Sequence, residues 1–116
     1  MTTPNIVNVG TINGLTALQN VALSMTAIIA NPSGSNAVYK VDSLMIANND
    51  SAGHSVSVEV QRGANSFAIA TSTPVAVGTT YDVLSKYIFL NEGDSLRISA
   101  DQANKMTAVA SYAVIS

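Results

Sequence analysis

One histidine and seven carboxylates are all that this 116-residue chain offers for acid–base or metal chemistry, because it has no cysteine. His54 stands in a polar turn beside Gly53. Acyl transfer needs a nucleophile, a base and an orienting group in contact, and no G-x-S-x-G elbow accompanies this histidine, so it reads as a turn or surface residue. A lone imidazole makes a zinc site only if carboxylates converge on it, and the H-x-x-x-H and H-x-x-E-H spacings are absent. Glu92 and Asp94 flank Gly93 in a second place where carboxylates gather. Calcium takes about six to eight oxygens, which two carboxylates with Asp101 at the far end of the next segment do not supply. The expectation there is a glycine-dependent hairpin turn, Asn91-Glu92-Gly93-Asp94, with its carboxylates in water. Asp82 reads as a polar residue on a strand face. Neither G-x-x-x-x-G-K nor G-x-G-x-x-G is present to cradle phosphate. The sequence therefore predicts no catalytic residue, no metal site and no cofactor, and the chain is read as a non-enzyme.

If chemistry is scarce, surface is what remains to be explained. Apolar residues make up 47% of the chain, enough for one packed core, while charged residues reach only 10%, against about 25% in ordinary soluble domains. Net charge is −2, and Lys40, Arg62, Lys86, Arg97 and Lys105 are scattered singly, so no basic patch exists to neutralise phosphates and nucleic acid is not an expected partner. The first charged side chain is Lys40. A membrane span needs about 20 apolar residues, but the best window, Leu15 to Ala30, is interrupted by Gln19, Asn20, Ser24 and Thr26. A signal peptide needs a basic start, which Met1-Thr2-Thr3-Pro4 lacks. A charge-free leading segment is instead expected to be covered by neighbouring protein.

The elements that would carry this surface are strands. Ser55 to Gln61 alternates three valines with polar residues, and Leu96, Ile98 and Ala100 alternate with Ser95, Arg97 and Ser99, each with one buried and one wet face. Ala37 to Asn48 reads as a long strand whose parity switches between Val41 and Leu44, placing a bulge near Ser43. Shorter strands are expected at Phe67 to Thr71, Pro74 to Val77 and Tyr81 to Ser85, forming a meander. Tyr87 to Ala100 reads as a β-hairpin. Ile12-Asn13-Gly14-Leu15 predicts a type I′ turn, and Met25 to Ala30 a strand, although 16–30 also carries helical spacing. The final run, Lys105 to Ser116, is apolar on both faces, so it is either central in its sheet or capped by another chain. The aromatics Tyr39, Phe67, Tyr81, Tyr87, Phe89 and Tyr112 sit at positions consistent with a core. The fold expected is an all-β, single-domain sandwich of about eight short antiparallel strands, jelly-roll-like or immunoglobulin-like. Residues 1–24 form its amino-terminal arm and first hairpin, and residues 25–116 the sandwich.

Three segments carry a resemblance: Ala37-Val38-Tyr39-Lys40-Val41-Asp42-Ser43-Leu44 with Ala47-Asn48-Asn49-Asp50, then Tyr87-Ile88-Phe89-Leu90-Asn91-Glu92-Gly93-Asp94-Ser95-Leu96-Arg97-Ile98, and the closing Ala110-Ser111-Tyr112. Together they resemble small β-sandwich virion proteins of tailed bacteriophages, a kind frequent in the T4-like phages of marine cyanobacteria. The resemblance implies a structural component of the virion, assembled in the host cytoplasm, that decorates and cements the capsid. An adaptor of tail, neck or baseplate is the alternative. The partners implied are the major capsid protein or other virion proteins, with homo-oligomeric or lattice contacts and no membrane. Contact is expected through Ile6, Val7, Val9, Ile12, Leu15 and Leu18 of the arm and Val109, Ala113 and Ile115 of the two-faced final strand. A reading from another class is a carbohydrate-binding module for host recognition, using Tyr81, Asn49 and Asp50. The Asn49-Asp50-Ser51 sequon is too common a pattern to weigh.

Overall fold

Alternation at period two becomes nine strands in the computed structural model, which describes residues 10–116 and contains no helix among them. They are β1 (Ile12–Asn20), β2 (Thr26–Ala30), β3 (Val38–Asn48), β4 (His54–Arg62), β5 (Asn65–Val75), β6 (Thr80–Asp82), β7 (Ile88–Leu90), β8 (Asp94–Ala100) and β9 (Met106–Ile115). A front sheet has the order β1-β9-β3-β6, with β7 also on β3, and a back sheet has the order β2-β8-β4-β5. Every pairing is antiparallel. Because β6 and β7 occupy the two halves of one edge of β3, they act as one interrupted strand. The winding is then that of a double-sheet jelly roll.

Between the sheets lies a dry layer. Val41, Leu44, Ile46, Ala108 and Ala110 of the front sheet meet Val56, Val58, Leu96, Ile98 and Ile29 of the back sheet, all buried in one cluster. Each fully buried Leu, Ile or Val contributes about 1.5–3 kcal/mol. The parity switch in β3 is a real bulge: its register against β9 shifts between Val41 and Ser43, which keeps both Val41 and Leu44 inward. β9 is central, between β1 and β3; Met106, Ala108 and Ala110 enter the core from it, while Val109, Ala113 and Ile115 lie on the outer face of the sheet.

Several expected turns are placed differently. Asn13 and Gly14 do not turn; both lie inside β1, opposite Val114 and Ala113. Pairing along a nine-residue strand outweighs a local preference for the type I′ turn. The stretch Phe67 to Val77 is not two strands of a meander but largely one, β5, irregular around Ser72, whose φ is 46°. Asn91-Glu92-Gly93-Asp94 does form a tight turn, with Asp94 N–H donating to Asn91 O at 3.0 Å and Gly93 at φ 86°. However, β7 pairs with β3 and β8 pairs with β2 and β4, so this turn is an arch between sheets and not a hairpin. The genuine two-residue hairpin is Gly63-Ala64, closing Arg62 on Asn65, with Gly63 at φ 61°.

Where the chain leaves one sheet for the other, buried asparagines satisfy the backbone. Asn31 donates from Nδ2 to Ala37 O and Leu90 O, both at 3.0 Å, and accepts at Oδ1 from Ser35 Oγ at 2.6 Å. Its own N–H donates to Asp94 O, and its carbonyl accepts from Gly93 N–H. At the opposite end of β3, Asn48 donates to Ala52 O and Val75 O, both at 2.9 Å, and accepts from Asp50 N–H at 3.0 Å. Both asparagines are 1% exposed or less. The Asn31→Leu and Asn48→Leu variants leave two carbonyls each without their donor. Each is expected to lower stability by about 2–4 kcal/mol, read as a fall in the urea midpoint.

Candidate functional site

Three places gather the side chains singled out above. At one strand end, His54 is the first residue of β4 and lies in phase with Val56 and Val58, so its ring points into the sandwich and its side chain is only 3% exposed. Nε2 lies 2.7 Å from Asp50 Oδ2 and Nδ1 lies 3.0 Å from Asp101 Oδ1. His54 is therefore not a surface histidine. It ties the β3–β4 loop to the β8–β9 loop, the two having closed over it from either side. The Asp50 hydrogen bond, reinforced by Asp101 and opposed by burial, holds the His54 pKa above its ordinary value. The same bond, with the Ser51 N–H and the nearby Lys105 charge, holds the Asp50 carboxyl below its own against the burial that opposes it. With both ring nitrogens on carboxylates, neither is left to activate a nucleophile. Among the described residues no group of three or more His, Cys, Asp or Glu side chains is arranged to hold a metal ion.

At the arch, Asp94 is likewise the first residue of its strand and in phase with Leu96 and Ile98. The expectation that it lies in water is overturned: its side chain is 1% exposed and held by Arg62 through Nε at 2.7 Å and the second guanidinium nitrogen at 2.8 Å, while Asn91 N–H donates to it at 2.9 Å. The Arg62 guanidinium, helped by Asn91 N–H, keeps the Asp94 carboxyl below the usual range although burial pushes the other way. Glu92 accepts from Gly34 N–H at 2.7 Å, so the arch is fastened to the β2–β3 loop. This is structural work, and no open oxygen cage results.

The third place is the outer face of the front sheet. Leu18, Val109 and Met45 form one cross-strand row, and Ile12, Ile115 and Val38 another. Ile12, Lys40, Asp42, Tyr87, Phe89, Ala113 and Ile115 line a shallow groove of about 360 Å³. Lys40 reaches Asp42 at 3.5 Å and sits 4.5 Å over the Tyr87 ring, which meets Phe89 edge-on at 5.4 Å. Leu18 is 72% exposed and Ile12 61%. The outer face of the back sheet is of another character. Ser55, Ser57, Glu59 and Gln61 face Ser95, Arg97 and Ser99, with Arg97 donating to Gln61 Oε1 at 2.7 Å and to Met25 O at 3.0 Å.

Of the expected contact residues, Ile12, Leu18, Val109 and Ala113 fall on the front face and Ile115 forms the groove floor. Leu15 lies on the inward side of β1 yet is 45% exposed at the sheet edge. Ile6, Val7 and Val9 lie outside the described residues. Sequence reasoning missed Phe89, Tyr87 and Met45, and it placed both aromatics in the core. The available signal was phase: Phe89 is out of step with buried Leu90, and Met45 with Leu44 and Ile46. Phe67 is also exposed, whereas Tyr39, Tyr81 and Tyr112 do pack on the core. Of the residues named for sugar binding, Tyr81 packs on the core and Asp50 is bonded to His54.

The class defined by these observations is an all-β, single-domain sandwich with one apolar and one polar outer face. No family model and no curated relative matches the sequence. The fold is similar to that of a pentameric capsid protein isolated from metagenomic phage sequences, known from two crystal structures. Identity is 20% and the TM-score 0.47, with 94% of this chain and 61% or 62% of those chains covered. The chain thus spans about three fifths of the length of those proteins.

The His54 cluster fixes a pH dependence. A raised histidine pKa stabilises the fold fully below the ordinary histidine value, and that contribution is lost as pH rises through the elevated one. The lowered Asp50 pKa stabilises above the ordinary aspartate value and is lost as pH falls through the depressed one. Unfolding temperature followed from about pH 5 to about pH 9 should therefore decline on the alkaline side. His54→Gln should be less stable at the acidic end and should flatten that decline.

Proposed function

We propose that this chain is a non-enzymatic structural protein of a phage virion that decorates the capsid, seated by the outer face of its front sheet. The observation that carries the reading is the contrast between its two outer faces. One is serine-rich, with its ions satisfied within the sheet, as a surface left in water should be. The other combines exposed Leu18, Ile12, Met45, Phe89 and Tyr87 around the Lys40–Asp42 ion pair, and exposed apolar patches of this kind mark protein contacts. The sequence resemblance to small virion β-sandwich proteins supports the same reading. Jelly rolls serve as viral capsid and as lectin domains, so architecture by itself does not choose between them. Seating by many shallow contacts suits a protein repeated over a lattice, where avidity replaces strong single-site affinity.

The test is a phage carrying this gene, with and without it. Particles lacking the protein should burst at lower temperature, and purified protein added back should restore the wild-type value. Met45→Lys lands opposite Asp82 and Phe89→Glu opposite Lys40, so each new charge on the contact face gains a cross-strand partner and the stability of both variants should stay within about 1 kcal/mol of wild type. Their retention on particles should fall at least about tenfold, equivalent to about 1.4 kcal/mol. Reconstruction of the particle should find the protein spread over the head; density confined to the tail or neck would replace decoration with the adaptor role. Particles of unchanged composition and heat resistance after gene deletion would end the virion reading.

A further inference from the structure

We infer that β1 is a pairing edge, and that its partner is β1 of a second copy of this chain, antiparallel about a two-fold axis at Thr16. The inference does not rest on a virion role. It rests first on a comparison of the sheet edges. β2 has five residues and a bulge between Ala27 and Ile29. β5 is broken by two register shifts, by left-handed Ser72 and by Pro74. β6 and β7 have three residues each. These are the features that blunt an edge against pairing. β1 has none of them: it runs nine residues in unbroken register from Ile12 opposite Ile115 to Asn20 opposite Thr107, and carries no charge and no proline.

The backbone phase tells which groups are free. Thr11 and Ser116 exchange both hydrogen bonds, at 2.9 and 3.0 Å, and Val21 N–H donates to Met106 O at 2.9 Å. Odd-numbered residues of β1 therefore face β9, and Ile12, Gly14, Thr16, Leu18 and Asn20 turn their N–H and C=O groups to an edge that no described strand covers. An antiparallel copy centred on Thr16 pairs all five with one another and forms about ten backbone hydrogen bonds.

The side chains match in the same register. On the outer face Thr16 meets Thr16, a favourable cross-strand pair, and Leu18 lies over Gly14, where nothing stands within 4 Å of a Cβ position. On the inner face Leu15 meets Ala17. Gln19 meets Asn13, and this matters because Gln19 Oε1 is buried without a hydrogen-bond partner, a state that folded proteins rarely leave uncorrected. In this register the Asn13 side-chain amide of the second copy stands opposite Gln19 and offers the missing donor once the Gln19 amide turns out to the edge.

The test uses the full chain, which has no native cysteine. Sedimentation velocity over a concentration series should show a reversible monomer–dimer equilibrium. Thr16→Cys should crosslink to its own kind on mild oxidation, because Cα atoms of a directly opposed pair stand about 5.5 Å apart. Asn20→Cys should not, since in this register the two thiols stand more than about 20 Å apart. Thr16→Pro removes one edge N–H and no β9 hydrogen bond, so it should stay folded by circular dichroism and sediment as a monomer. A wild-type chain that stays monomeric at every concentration overturns the inference. So does a dimer in which Asn20→Cys crosslinks as readily as Thr16→Cys. Either result would leave the virion reading standing, because that reading is tested on particles.

Discussion

A dry layer between two sheets has to be closed at its ends by polar groups that bring their own partners, and the rest of this structure depends on that. Six of the eight connections between consecutive strands cross from one sheet to the other. At each crossing the backbone leaves a ladder and its amides and carbonyls lose their regular partners, at a depth where water cannot replace them. The buried polar residues of the described chain are Asn31, Asn48, His54 and Asp94, and each sits at or just beyond a strand end in phase with the inward-facing apolar residues. Asn31 and Asn48 supply donors to stranded carbonyls, Asp94 accepts from Asn91 and Arg62, and His54 bridges two loop carboxylates.

That arrangement accounts for a chain with so few charges. The ions it has are largely spent inside the molecule: Arg62 on Asp94, Arg97 on Glu59 and Gln61, His54 on Asp50 and Asp101, Lys40 on Asp42. Little is left to make the front face repel other proteins. With the back face serine-rich and the front face aliphatic and aromatic, the proposed seating leaves one side in water and puts the other in contact. The one histidine stands among aspartates for the same reason: both its ring nitrogens are held by carboxylates of the loops it ties together.

The strands were legible because burial imposes a period of two wherever one face is wet. Val56 and Val58, Leu96 and Ile98, and the bulge between Val41 and Leu44 could be read directly from that alternation. His54 and Asp94 show where legibility stopped. Each follows a glycine in a polar turn, and local composition assigns such residues to water, yet each continues the buried phase of the strand it begins. Extending the alternation by one residue would have found both. What composition could not supply was the partner: Asp101 lies 47 positions from His54, and Arg62 lies 32 from Asp94.

By itself, then, the sequence determined the all-β character and most strand positions, the single core and the scarcity of reactive groups, because alternation, composition and residue inventory are local properties of a chain. Only the tertiary structure decided which strands are neighbours. Asn13-Gly14 carries a turn preference and lies mid-strand because β9 pairs along it, and Asn91 to Asp94 carries a hairpin signal and bridges two sheets because β3 and β4 claim its flanking strands. It also decided which apolar residues stay outside. Phe89 and Met45 look like core residues to composition, but the core has one inside, and the pairing of β7 and β9 with β3 turns those two side chains away from it.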